Sequence, residues 1–242
     1  MSSDHVKVTE FTKENIDLFL KELAKEYRKL MGKKTPAEIV IIGGVSVLIN
    51  YNFRNSTTDI DAIIQAASGM KDAINTVGDR YCLPYEWLNA DFEKTDSYSP
   101  KLLQFSRYYR TFSNVLTIRT ISAEYLIAMK LRSGRQYKND MSDILGILSE
   151  HDTAGQKITM EQITQAVSDL YGEWDVLPEI SREFINKAMK DERYKELYKS
   201  TREKEIESKK LLIQFEHDYP GVTKQDSVNN IIQNLRKKKG SL

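Results

Sequence analysis

Asp59 and Asp61 stand two residues apart in Thr58-Asp59-Ile60-Asp61-Ala62-Ile63-Ile64. Side chains alternate along a strand, so both carboxylates point to one face while Ile60, Ala62 and Ile64 point to the other. Two carboxylates about 7 Å apart on one strand face, flanked by apolar residues, repel each other and resist burial. A divalent cation removes that cost. Mg²⁺ prefers oxygen ligands and commonly takes one or two carboxylates together with substrate phosphates. A solvated edge strand with two exposed acids carries the same pattern, so the spacing alone leaves both readings open.

The segment upstream favours the ligand reading. Glu38-Ile39-Val40-Ile41-Ile42 is a β-branched run that predicts a buried strand, and Gly43-Gly44 interrupts it before Val45 to Tyr51 resumes as a short helix. Glycine lets a backbone come close to a ligand, and a helix N-terminus offers free N–H groups to a phosphate. Ser46, in the first turn, offers a hydroxyl donor. A glycine pair also ends many strands for purely structural reasons, and that reading stands beside the first.

A second block runs from Glu124 to Leu145. Tyr125 to Leu131 is apolar except for Lys130, so a buried helix must carry one lysine to water, a partner or a cleft. Lys130, Arg132, Arg135 and Lys138 form a positive cluster suited to a polyphosphate, or a snorkelling lysine and its neighbours at a core edge. Asp140 and Asp143 share a side of the next helix and are expected to pair with Arg135 or Lys138 as structural salt bridges. Ligation of metal or substrate is the other reading for them.

These residues must be positioned by the elements around them. Ile16, Phe19, Leu20, Leu23, Tyr27 and Leu30 recur at helical spacing and predict a helix over Thr12–Leu30. Strands follow at 38–42 and 58–64, with a polar turn at 55–58 and a helix at 70–81. Residues 84–100 give no clear pattern. Tyr108–Phe112 and Val115–Ile121 predict two strands joined at Ser113-Asn114, and Ser122 caps a helix to about Ser133. From Lys138 onward the chain reads as helical throughout, with segments at 138–149, 159–171, 179–189, 191–216 and 224–238. The expected class is α+β, with an α+β domain over residues 1–150 and an all-helical domain over 151–242.

Composition narrows the function classes. The 242 residues carry a net charge of only +1, so any nucleic-acid binding must come from a local patch. The single cysteine excludes an internal disulfide and a cysteine zinc cage, and the three histidines are scattered. Met1-Ser2-Ser3-Asp4-His5 lacks the character of a signal peptide, and no apolar run approaches the ~20 residues that cross a bilayer. A cytoplasmic protein without a membrane partner is expected. Tyr108, Tyr109 and Arg110 offer base stacking, although such residues more often pack in a sheet. Arg236 to Lys239 offer contacts to RNA phosphates, or simply a solvated end.

The order strand, Gly43-Gly44, short helix, then Asp59-X-Asp61 resembles the signature of the DNA polymerase β-type nucleotidyltransferase superfamily. The block from Met129 through Lys130, Arg132, Arg135, Asp140 and Asp143 resembles the AbiEii-like branch. Together the two blocks cover about residues 37–150. Gly44 stands where serine is common, which removes a phosphate-binding hydroxyl that Ser46 would replace, and the gap to Asp59 is slightly long. The resemblance implies a nucleotidyltransferase-type mixed sheet flanked by helices and a nucleotide cleft between sheet and helices. It implies Mg²⁺ or Mn²⁺ on Asp59 and Asp61, and β- and γ-phosphates cradled by Gly43, Gly44 and Ser46. Lys130, with Arg135, would neutralise the leaving pyrophosphate. A third carboxylate would come from Asp91, Glu93 or Asp96, in that order. The implied activity is transfer from an NTP to an acceptor such as tRNA or other RNA. Many members act as the toxin of a toxin–antitoxin or phage-defence pair, so an antitoxin protein is an implied partner. The alternative is a catalytically silent protein of the same fold that binds a nucleotide or a protein.

Overall fold

The computed structural model describes residues 10–222 and 228–239. The Met1–His5 segment lies outside them, as do the side chains of Arg236 to Lys239. The chain divides into two compact units, Met1–Leu126 and Ile127–Leu242, whereas the sequence patterning changes character near residue 150.

In the first unit, α1 (Lys13–Met31) opens with Asn15 accepting the Thr12 backbone N–H at 2.8 Å. Ile16, Phe19, Leu20, Leu23 and Tyr27 are buried along one stripe, each contributing roughly 1.5–3 kcal/mol by leaving water. Leu30, the last residue of the predicted series, is exposed at the helix end. β1 (Ala37–Ile41) leads into α2 (Gly43–Asn50), then β2 (Ile60–Gln65) and α3 (Gly69–Tyr81). β3 (Leu88–Asn89), β4 (Ser106–Phe112) and β5 (Leu116–Ile121) follow, and α4 (Ala123–Ser133) runs across the division between the units.

The five strands form one mixed sheet in the order β3-β2-β1-β5-β4. β1 is antiparallel to β2 and parallel to β5, with Ile41 opposite both Ala62 and Thr120. One sheet face, carrying Ile39, Ile41, Ile60, Ala62 and Ile118, packs under α1 and α3. α2 lies against β2 and β5. Val40 and Ile63, which point away from α1, are buried too, as a sheet covered on both faces requires. The β4–β5 hairpin turns through Ser113 (φ 51°) and Asn114 (φ 57°), two successive positive φ angles that match the right-handed twist of a hairpin.

Several boundaries differ from the sequence reading, among them those of α2, β2 and α8. α2 begins at Gly43 rather than Val45, because Gly43 adopts φ +61° and turns the chain directly out of β1. β2 begins at Ile60 rather than Thr58, since Thr57 pairs instead with Phe11 in an isolated bridge. The long helix read over 191–216 is α8 (Tyr194–Asp218), separated from α7 (Glu179–Asp191) by Glu192 at φ 57°.

The second unit is helical: α5 (Asp140–Thr153), α6 (Met160–Tyr171), α7, α8 and α9 (Val228–Lys239) follow the end of α4. Thr159 caps α6, its hydroxyl accepting the Gln162 N–H. α5 packs along α8, and α8 also contacts α7 and α9. Among the described residues no helix is long and apolar enough to cross a membrane.

Candidate functional site

The Gly43–Asp61 corner is built by the β1–β2 register. The Ile42 N–H donates to the Asp61 carbonyl at 3.0 Å, which fixes Asp61 beside the end of β1. Gly43 then turns the chain so that its Cα hydrogen faces the carboxylate. A β-carbon added there would lie 3.2 Å from Asp61 Oδ2. The carboxylate therefore sits against the turn that opens α2, where backbone N–H groups are unpaired by the helix. Asp61 is half-buried; Asp59, just ahead of the strand, is exposed.

Gly44 faces another charged group. A β-carbon on Gly44 would fall 2.6 Å from Arg54 Nη2 and 2.9 Å from Thr57 Oγ1. Arg54 is held in the loop before β2, where its Nε donates to the Ser56 carbonyl at 3.2 Å and Nη2 to Thr57 Oγ1 at 3.4 Å. The loop is itself anchored by the Phe11–Thr57 backbone pair, at 2.6 and 3.0 Å. Sequence reasoning missed Arg54, although it is the sole cation between Gly43 and Asp59.

Ser46 is on the other side of α2. It is fully buried, and its hydroxyl accepts the Ile121 N–H at 3.3 Å, tying α2 to the end of β5. The expected phosphate role therefore meets a hydroxyl turned toward the sheet. Of the candidate third acids, Asp91 is exposed and paired with Lys94 at 2.6 Å, and Glu93 and Asp96 are exposed. The strand register puts Asn89 opposite Asp61. Among the described residues no three His, Cys, Asp or Glu side chains gather into a metal cluster. Two aspartates as hard oxygen donors still suit Mg²⁺, whose remaining positions are commonly filled by phosphates and water.

Lys130 and Arg135 belong to the second unit and are engaged there. Lys130 is buried between Asp143, at 2.7 Å, and Asp140, at 3.3 Å. Arg135 Nε reaches Asp140 at 2.8 Å. Burial pushes the Asp140 carboxyl up, but Lys130 and Arg135, helped by hydrogen bonds from Arg135 and Ser133, hold it well below the usual carboxylate range. The structural pairing expected for these aspartates is what forms, with Lys130 as a partner alongside Arg135. Beside them, Glu205 on α8 accepts the Met141 N–H at 3.0 Å, the Ser142 N–H at 3.1 Å and the Ser142 hydroxyl at 2.5 Å. This buried carboxylate caps α5 from a distant helix, and burial pushes it up to about 7.

Neither a curated protein nor a solved structure matches the chain. A family model does: residues 19–219 match the family described as "Nucleotidyltransferase of unknown function (DUF6036)". That description supports the nucleotidyltransferase superfamily and does not reach the finer AbiEii-like branch that the sequence resembles. The mixed five-stranded sheet with its flanking helices is consistent with a nucleotidyltransferase fold. With most of its length matched, including that whole corner, the chain belongs to the DUF6036 nucleotidyltransferase family.

Proposed function

We propose that the protein transfers a nucleotide from an NTP to an acceptor hydroxyl or phosphate, with Asp59 and Asp61 holding Mg²⁺ or Mn²⁺. The acceptor oxygen bonds to the α-phosphorus while the α–β bridging oxygen leaves with pyrophosphate. The metal, when bound, neutralises triphosphate charge and lowers the acceptor's pKa. The observation that carries the reading is the Asp61 carboxylate set directly against Gly43, at the turn into α2. There a carboxylate and unpaired backbone donors stand side by side, the arrangement a metal-bound triphosphate needs.

RNA, including a tRNA end, is the acceptor class that the AbiEii resemblance favours. A toxin role with a cognate antitoxin follows from the same resemblance. Controlled expression in a bacterial host tests it: growth arrest by the wild type, absent with Asp61→Asn, supports the toxin role, and unaffected growth removes it. The activity itself is tested by incubating the protein with each α-labelled NTP, Mg²⁺ or Mn²⁺, and fractionated bacterial lysate. Label in RNA, protein or small molecules with wild type alone, against Asp59→Asn and Asp61→Asn, supports transfer and names the acceptor class. No label with any NTP overturns it.

A second reading has its own support. The lack of a third acid in a metal cluster among the described residues fits a silent nucleotide- or protein-binding module. Such a protein binds NTP without consuming it.

A further inference from the structure

We infer that Arg54 is the side chain that grips the nucleotide's phosphates, standing where a side chain at position 44 would otherwise project. The inference rests on the nucleotidyltransferase reading and assigns a residue to that same site. Position 44 carries no hydroxyl, and the Ser46 hydroxyl is buried against β5, accepting from Ile121. The space beside Gly44 is taken by the Arg54 guanidinium, so close that a β-carbon would sit 2.6 Å from Nη2. Glycine at 44 is thus the condition for Arg54 to lie there.

The charges on the two glycines are opposite. Asp61 lies against Gly43 and Arg54 against Gly44, so a carboxylate and a guanidinium flank the same turn. A metal-bound triphosphate presents the matching pattern, cation toward the carboxylate and phosphate oxygens toward the guanidinium. A planar guanidinium with five N–H donors suits two phosphate oxygens at once and retains its charge at any working pH. The contacts to Ser56 and Thr57 hold the group in place before a ligand arrives, which lowers the entropy lost on binding. Arg54 also shapes its own loop through these contacts, so the test must separate phosphate binding from loop structure.

The test is calorimetric titration of the full-length protein with each of the four NTPs and its monophosphate, in Mg²⁺. Wild type, Arg54→Ala, Arg54→Lys, Gly44→Ser and the Gly44→Ser/Arg54→Ala double variant are compared, with thermal melting to establish folding. Arg54→Ala is expected to weaken the preferred triphosphate by about 10–100-fold and its monophosphate much less, with Arg54→Lys between. Gly44→Ser alone is expected to weaken the triphosphate as well, because it displaces the guanidinium. In the double variant the serine hydroxyl occupies the vacated space, and binding recovers above that of Arg54→Ala. Triphosphate binding by Arg54→Ala within twofold of wild type, or equal losses for triphosphate and monophosphate, overturns the inference and leaves the transferase reading intact. Wild type that binds no NTP overturns both. Should Arg54→Ala fail to fold, Arg54→Gln, which keeps a donor for Ser56, decides by the same criteria.

Discussion

At the scale of single residues, Gly43 and Asp61 constrain each other. Gly43→Ala places a methyl group at φ +61°, in the left-handed region that costs an L-residue roughly 1–2 kcal/mol, and aims it at Asp61 Oδ2. The expected result is a lower melting temperature together with weaker metal-dependent nucleotide binding, measured on the same sample. Asp59→Asn and Asp61→Asn should behave differently. Asp59 is exposed, so its variant keeps wild-type stability while transfer falls by at least about 100-fold, the scale of losing a group that stabilises charge in the transition state. The strand–glycine–helix order and the place of Asp61 on the next strand were legible in the sequence because their spacing is local. Ser46 misled because α2 is apolar on nearly every side, so periodicity gives no sign of which face meets the sheet. Arg54 was illegible for the converse reason: a loop has no period from which to read a direction.

At the scale of elements, buried ion pairs and hydrogen bonds join α4, α5 and α8. Removing one partner of a buried ion pair leaves the other charge uncompensated, at a cost of about 3–5 kcal/mol. Lys130→Met is therefore expected to lose stability on that scale in urea unfolding. A lysine acting only on substrate would lose activity while leaving the unfolding midpoint in place, and that outcome would contradict the structural role. Glu205 predicts a pH effect whose sign can be derived. Its folded pKa is raised to about 7 by burial, against an unfolded value of 4.5. Between those values the folded state holds a proton that the unfolded state has lost, so stability declines as pH rises from about 4.5 to 7 and is level above. Glu205→Gln keeps an acceptor for the Met141 and Ser142 N–H groups and has no proton to lose. Relative to wild type it should gain stability as pH rises through that window, by at most about 3 kcal/mol. A difference between the two proteins that does not vary with pH would refute this. None of it was readable from Asp140 and Asp143 alone, because Glu205 comes from more than sixty residues along the chain.

For the whole molecule, the class and most elements follow from local patterning. α1 shows its buried stripe directly, β1 and β2 show apolar runs, and Ser113-Asn114 announces a hairpin that the structure forms. β3 escaped notice because two residues of parallel strand have no alternation to detect; its place beside β2 is set by the Trp87 carbonyl accepting the Ile60 N–H at 2.8 Å. The family match extends over residues 19–219 and so through parts of both units. It places the chain in a family described as nucleotidyltransferases of unknown function and leaves both the activity and the acceptor to experiment. The most direct test of the central claim uses one NTP carried in two forms, labelled at the α- or at the γ-phosphate, with the protein, Mg²⁺ and the lysate fraction that accepts label. The account predicts that α-label enters the acceptor, γ-label leaves as pyrophosphate, and both depend on Asp59 and Asp61. Entry of γ-label into the acceptor, or α-label transfer that persists in Asp61→Asn, would contradict it.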